Sequence, residues 1–129
     1  MPRATVFSAC LLILAHSAAA ADLDVPITEM AGDGRAATCA GSIVAGLDPA
    51  GDGFLAVRSG PGTNYRKIDE LRNGDVVNVF EGVGPWVGVT YGRVSDGWPD
   101  PCANTGPARR VRDSQKGWIH SNWLEDLAG

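Results

Sequence analysis

From Ser42 onward the apolar residues fall in short runs, each closed by glycine, proline, asparagine or aspartate. Ser42-Ile43-Val44-Ala45 runs into a turn cluster over Asp48 to Gly53. Phe54-Leu55-Ala56-Val57-Arg58 runs into Ser59-Gly60-Pro61-Gly62. Ile68 and Leu71 lead to Asn73-Gly74, and Asp75 to Glu81 follows as a strand with Val77 and Val79 on one face. Its neighbours Val76 and Phe80 are apolar too, so alternation leaves the buried face open there. Gly82 to Pro85 turns the chain into Trp86 to Tyr91, where Val87, Val89 and Tyr91 alternate cleanly with Trp86, Gly88 and Thr90. The strand pattern resumes at Gly117-Trp118-Ile119-His120, and Ser121 to Leu124 reads as a short turn tucking Trp123 and Leu124 under the sheet. No stretch carries a sustained helical period. About five short strands at such spacing predict an all-β protein, a small barrel or sandwich.

The N-terminus has a different pattern. Arg3 is followed by an apolar run from Val6 to Ala15 and by the small residues Ser17 to Ala21, the three parts of a secretory signal. The run is about half the roughly 20 apolar residues that a membrane span requires. Residues 1–21 are therefore expected to be cleaved after Ala20 or Ala21, giving a secreted or periplasmic protein with no membrane span. Cys10 lies inside the run, ahead of Leu11 to Leu14, and reads as an ordinary apolar position. Cys39 and Cys102 then remain, an even number in an oxidising compartment, which predicts a disulfide between them. Without clustered histidines they make no zinc site, and no metal or cofactor is expected. Residues 22–40 hold Pro26, glycines and alanines without a period and read as a leader or linker.

Composition narrows the function. The 129 residues carry 11 basic and 15 acidic side chains, a net charge of -4, and are 44% hydrophobic, which suits one domain. Loss of the signal removes only one charged side chain, Arg3, and makes the balance more acidic. Nucleic-acid binding, which needs a basic face to neutralise phosphates, is disfavoured.

The block Leu55 to Tyr65, with Val-Arg-Ser-Gly-Pro-Gly-Thr at its centre, resembles a bacterial SH3-like domain. So do Ile68, Leu71, Gly74 to Val79, Trp86 to Val89, Gly117 to Ile119 and Trp123-Leu124. The resemblance covers nearly all of residues 41–127. It implies a small SH3-like β-barrel of about five strands, a non-catalytic module binding peptide or cell-wall peptidoglycan. Apart from the resemblance, Gly60 and Gly62 read as supplying backbone angles closed to other residues, and Pro61 as fixing a turn dihedral. The chain departs from the family between the Trp86 and Gly117 strands, where a long insertion, residues 92–116, replaces a short hairpin. A loop of that length needs a function or a tether, and the expected Cys39–Cys102 bridge supplies one. The insertion is also the candidate surface for the alternative function, binding another cell-envelope protein.

Candidate sites follow. Large aromatic rings lining a groove bind peptide or glycan with little entropy loss, and Tyr65, Trp86, Tyr91 and Trp118 are the groove candidates, with a core role as the competing reading for Trp118 and Trp123. Trp98 in the insertion packs as a lid or makes contacts. Catalysis finds little support: His120 is the only histidine past the signal, and the pairs Asp69-Glu70 and Glu125-Asp126 read as solvated. Asp48 to Gly53 matches a calcium loop at some positions, but Ala50 occupies the third position and Ser59 the place of the essential glutamate, so a β-turn cluster is expected. Arg109, Arg110 and Arg112 read as a solvated basic cluster on the insertion.

Overall fold

The computed structural model describes residue 4 and residues 22–92, 102–113 and 115–127. All of the predicted signal except Ala4 lies outside the described residues, as does Trp98. The elements are β1 (Thr28–Glu29), β2 (Ala40–Val44), β3 (Leu55–Arg58), β4 (Lys67–Leu71), β5 (Val76–Val83), β6 (Trp86–Tyr91), β7 (Arg109–Arg110), β8 (Lys116–His120), a 3-10 turn (Ser121–Trp123) and β9 (Leu124–Asp126). The protein is all-β, as expected. Seven strands form one antiparallel sheet in the order β4-β3-β8-β6-β5-β2-β9, and β1 pairs with β7 in a small second sheet.

Hydrogen bonds do not close the large sheet into a barrel, since β4 and β9 are its two edges. Packing brings its two halves together nonetheless. Leu55, Val57 and Leu71 from β3 and β4 share one buried cluster with Val44 and Val77 from β2 and β5, completed by Leu47, Val89 and Ile119. Strands that far apart in the order meet only if the sheet curls around an inner face, which is the SH3-like arrangement. Asn73 helps hold the curl: its side-chain amide donates to Leu47 O at 2.9 Å and its carbonyl accepts from Leu47 N at 3.0 Å.

The strand along Asp75 to Glu81 buries apolar residues on both of its faces. The β5–β6 register shifts between Val79 and Glu81. Val77 and Val79 face the inner cluster, while Phe80, next in the alternation, points to the other face and belongs to a second cluster. Trp123 does not tuck under the sheet. Its ring is 38% exposed and lies beside Gly46, while Leu124 alone packs on the inner cluster.

The second cluster joins Leu23, Ile27, Cys39, Phe80, Val111 and Trp118. Residues 22–40, expected as a leader or linker, are thus an arm laid on the outer face of the sheet, because Leu23, Val25 and Ile27 present apolar side chains on alternate positions. The insertion's 102–113 segment packs beside the arm. Cys39 and Cys102 are disulfide-bonded, with Cα atoms 4.7 Å apart. Thr38 N donates to Cys102 O at 2.8 Å and Val111 N to Ile27 O at 2.9 Å. Asn104 is a hub: its amide nitrogen donates to Met30 O and Pro107 O, and its backbone N–H to the Thr38 hydroxyl. Glu29, 4% exposed, takes the Thr38 hydroxyl at 2.9 Å and the Arg109 guanidinium at 3.0 Å, so the buried charge is paired.

Candidate functional site

Strand alternation distributes the four candidate aromatics. Along β6, Val87, Val89 and Tyr91 face the inner cluster and Trp86 packs on the outer one. In the β6–β8 ladder Trp86 pairs with His120 and Gly88 with Trp118. Trp86 and Trp118 therefore share the outer face, and Tyr91 is on the opposite one.

Trp118 is fully buried, and its indole N–H donates to Val25 O at 2.8 Å. The arm covers it, and of its two readings the structure places it in the core. Trp86 is half-buried at the end of the same face, its ring edge-on to His120 with centroids 5.4 Å apart and planes at 73°. His120 Nδ1 accepts the Asn122 N–H at 3.2 Å, which caps the 3-10 turn. Tyr65 is half-buried and lies over Gly60. Gly60 and Gly62 do not take left-handed backbone angles. What excludes other residues is space: a Cβ on Gly60 would stand 2.5 Å from the Tyr65 ring, and one on Gly62 2.6 Å from the Asn64 side-chain oxygen. The Ser-Gly-Pro-Gly block is a seat for Tyr65.

Tyr91 opens on a cleft of about 410 Å³ at the mouth of the inner core. Its lining brings Asp69, Glu70 and Leu71 from β4 together with Asp75 and Val76 before and at the start of β5, and with Gln115 from the insertion. The Tyr91 hydroxyl donates to Asp69 Oδ2 at 2.8 Å. Burial first, and then the Asp69 carboxylate, push the phenol above its ordinary value of 10.0. Glu70 accepts from Lys67 at 2.6 Å and from Arg72 at 3.3 Å, and Asp75 takes the Arg72 N–H at 2.7 Å. Lys67 and Arg72 also lie over the Phe54 ring, at 4.7 and 5.9 Å. The result is an open, tyrosine-edged cleft with an acidic rim. Asp69 and Glu70 read from sequence only as a solvated pair, because adjacency along the chain conceals that strand order sets Asp69 against Tyr91.

Other groups are occupied structurally. Asp48 caps its own turn by accepting the Ala50 N–H at 2.8 Å, as the β-turn reading expected. Neither cysteine of the bridge is a thiol. Asp24 accepts the Ser59 hydroxyl at 2.5 Å and pairs with Arg66 at 3.4 Å. Those contacts, the Ser59 bond foremost, hold its carboxyl below the ordinary value of 3.8. Among the described residues no group of three or more His, Cys, Asp or Glu side chains is placed to hold a metal, and no helix is long and apolar enough to cross a membrane.

A sequence model of the bacterial SH3 domain matches residues 53–125, from the turn before β3 into β9. The arm and β2 lie outside the match and the insertion lies within it. No curated protein and no solved structure matches the chain.

Proposed function

Because the chain belongs to the bacterial SH3 domain family, whose members are binding modules commonly associated with the cell wall, we propose that it is an exported, non-catalytic module that recognises peptide or peptidoglycan material. The cleft beside Tyr91 carries the reading. It sits at the mouth of the inner core, is lined by buried Leu71 and exposed Val76, and offers the carboxylates of Asp69, Glu70 and Asp75 to the amino groups of a peptide. Trp86, on the opposite face of β6, and Tyr65, in the turn after β3, are half-buried and lie outside this cleft, as separate candidate contacts. The disulfide supports an envelope or extracellular location.

Retention of the purified protein on insoluble peptidoglycan tests this. The wild-type chain is expected to be retained, and Tyr91→Phe/Asp69→Asn, which keeps side-chain volumes, is expected to lose most of that retention. No retention of the wild type removes the ligand class, and equal retention of the variant removes the cleft.

A second reading, binding of an envelope protein through the insertion, is favoured by one observation. Segment 102–113 is pinned by the disulfide and by Asn104, and it holds Arg110 and Arg112 exposed to solvent. Charge reversal at both arginines would abolish capture of such a partner and leave peptidoglycan retention unchanged.

A further inference from the structure

The arm crosses the large sheet rather than extending it. Val25 N donates to Ser59 O, just past β3; Val25 O accepts the Trp118 indole of β8; Ile27 sits on Gly88 of β6; and Thr28 N donates to Glu81 Oε1 of β5 at 2.9 Å. These four strands are neighbours in that order, so a short stretch of chain reads across each in turn. Gly88 is what admits it: a Cβ there would stand 2.8 Å from Ile27 Cγ1, and glycine leaves a socket for the isoleucine. Pro26, between the two anchoring residues, has no N–H that would need a partner.

The arm is also separable in its packing. No residue of 22–39 or of 102–113 belongs to the inner cluster, and from the large sheet the outer cluster takes Phe80 and Trp118, with Trp86 packed against it. A segment held by one indole donor, one glycine socket, one main-chain carbonyl and one carboxylate is bound as a peptide ligand is bound. We propose that the outer face of β3, β8, β6 and β5 is a second peptide-docking surface, distinct from the Tyr91 cleft and occupied by the chain's own Leu23–Thr28. Its ligand in trans is an extended peptide in which a proline stands between two β-branched aliphatic residues. The tethered arm competes with that ligand, and the Cys39–Cys102 bridge holds the competitor in place.

The probe is a synthetic peptide of residues 22–30, followed through the Trp118 indole N–H resonance of the full mature chain. In an Ile27→Ser variant the barrel is expected to keep dispersed amide signals for Val57, Val89 and Ile119, while the Trp118 resonance shifts. Added peptide is expected to restore that resonance, and a peptide carrying the same Ile→Ser change is not. The wild-type chain, whose surface is mostly filled, is expected to bind the peptide at least about tenfold more weakly than the variant does. Global unfolding of Ile27→Ser, or no restoration by the peptide, overturns the proposal. A second measurement needs no variant: in native-state hydrogen exchange the amides of Val25, which bonds the arm to Ser59, and of Val111, which bonds segment 102–113 to the arm, are expected to exchange faster than those of β5 and β6. A single common rate would show one inseparable core and also overturn it.

Discussion

Replacing Cys39 and Cys102 together by alanine tests how far the small fold depends on its clasp. The bridge joins residues 63 apart in sequence, and closing a loop of that length in the unfolded chain corresponds to about 4 kcal/mol of stabilisation at 25 °C from chain entropy alone. Small domains hold only about 5–15 kcal/mol in total. The expected midpoint shift for a chain of this size is roughly 15–30 °C. Urea unfolding followed by tryptophan fluorescence measures the change, with the oxidised and reduced wild type compared alongside so that lost sulfur packing is separated from the lost tether. The slope of free energy against urea is expected to rise in the variant, because an unbridged denatured chain exposes more surface. A loss below about 1 kcal/mol in both comparisons would refute the reasoning, and would mean that the arm and the 102–113 segment hold together through Asn104, Glu29 and the outer cluster without covalent help.

Three further outcomes follow from single contacts. Gly88→Ala drives a methyl into Ile27 and is expected to cost about 1–3 kcal/mol; Ile27→Ala relieves that clash, so the double variant loses clearly less than the sum in a thermal or urea cycle. Arg109→Ala leaves the Glu29 carboxylate, its side chain 5% exposed, with only the Thr38 hydroxyl; a loss of about 1–3 kcal/mol is expected, and Glu29→Gln in the same background recovers part of it. The Tyr91 phenol is raised above its ordinary 10.0, so its contribution to stability is complete below pH 10 and is lost as pH rises further. Ultraviolet titration of Tyr91→Phe against wild type would show the missing late-ionising phenol. Loss of an early-ionising one instead would contradict the burial and the Asp69 bond.

The inner half of the molecule was legible because its residues act through local rules. Val87, Val89 and Tyr91 alternate and face one side; Asn73-Gly74 is a turn; and Val57 and Ile119 are buried as strand residues in such positions usually are. Phe80 was not legible, since alternation sets it opposite Val77 and Val79 but only the arm packed on the outside of the sheet shows that this second face is buried too. Gly60 and Gly62 were identified as special for the wrong physical reason: they look like turn glycines, and only the positions of the Tyr65 ring and the Asn64 side chain show that space is what they supply. The four candidate aromatics illustrate the same limit, because sequence marks rings without marking what covers them.

Sequence alone determined the all-β class, the strands from Ser42 to His120 other than β4 and β7, the family and the pairing of the two cysteines, because period-2 patterning, turn chemistry and cysteine arithmetic are each carried by residues close in the chain or few enough to pair one way. Tertiary structure decided the rest. Residues 22–40 read as a leader without a period, and nothing local said that Leu23, Val25 and Ile27 would lie across the sheet. That depends on a missing side chain at Gly88, an indole at Trp118 and a buried carboxylate at Glu29, brought together from far apart in the chain. Long-range complementarity of this kind is written in pairs of residues, and only folding brings the members of each pair together.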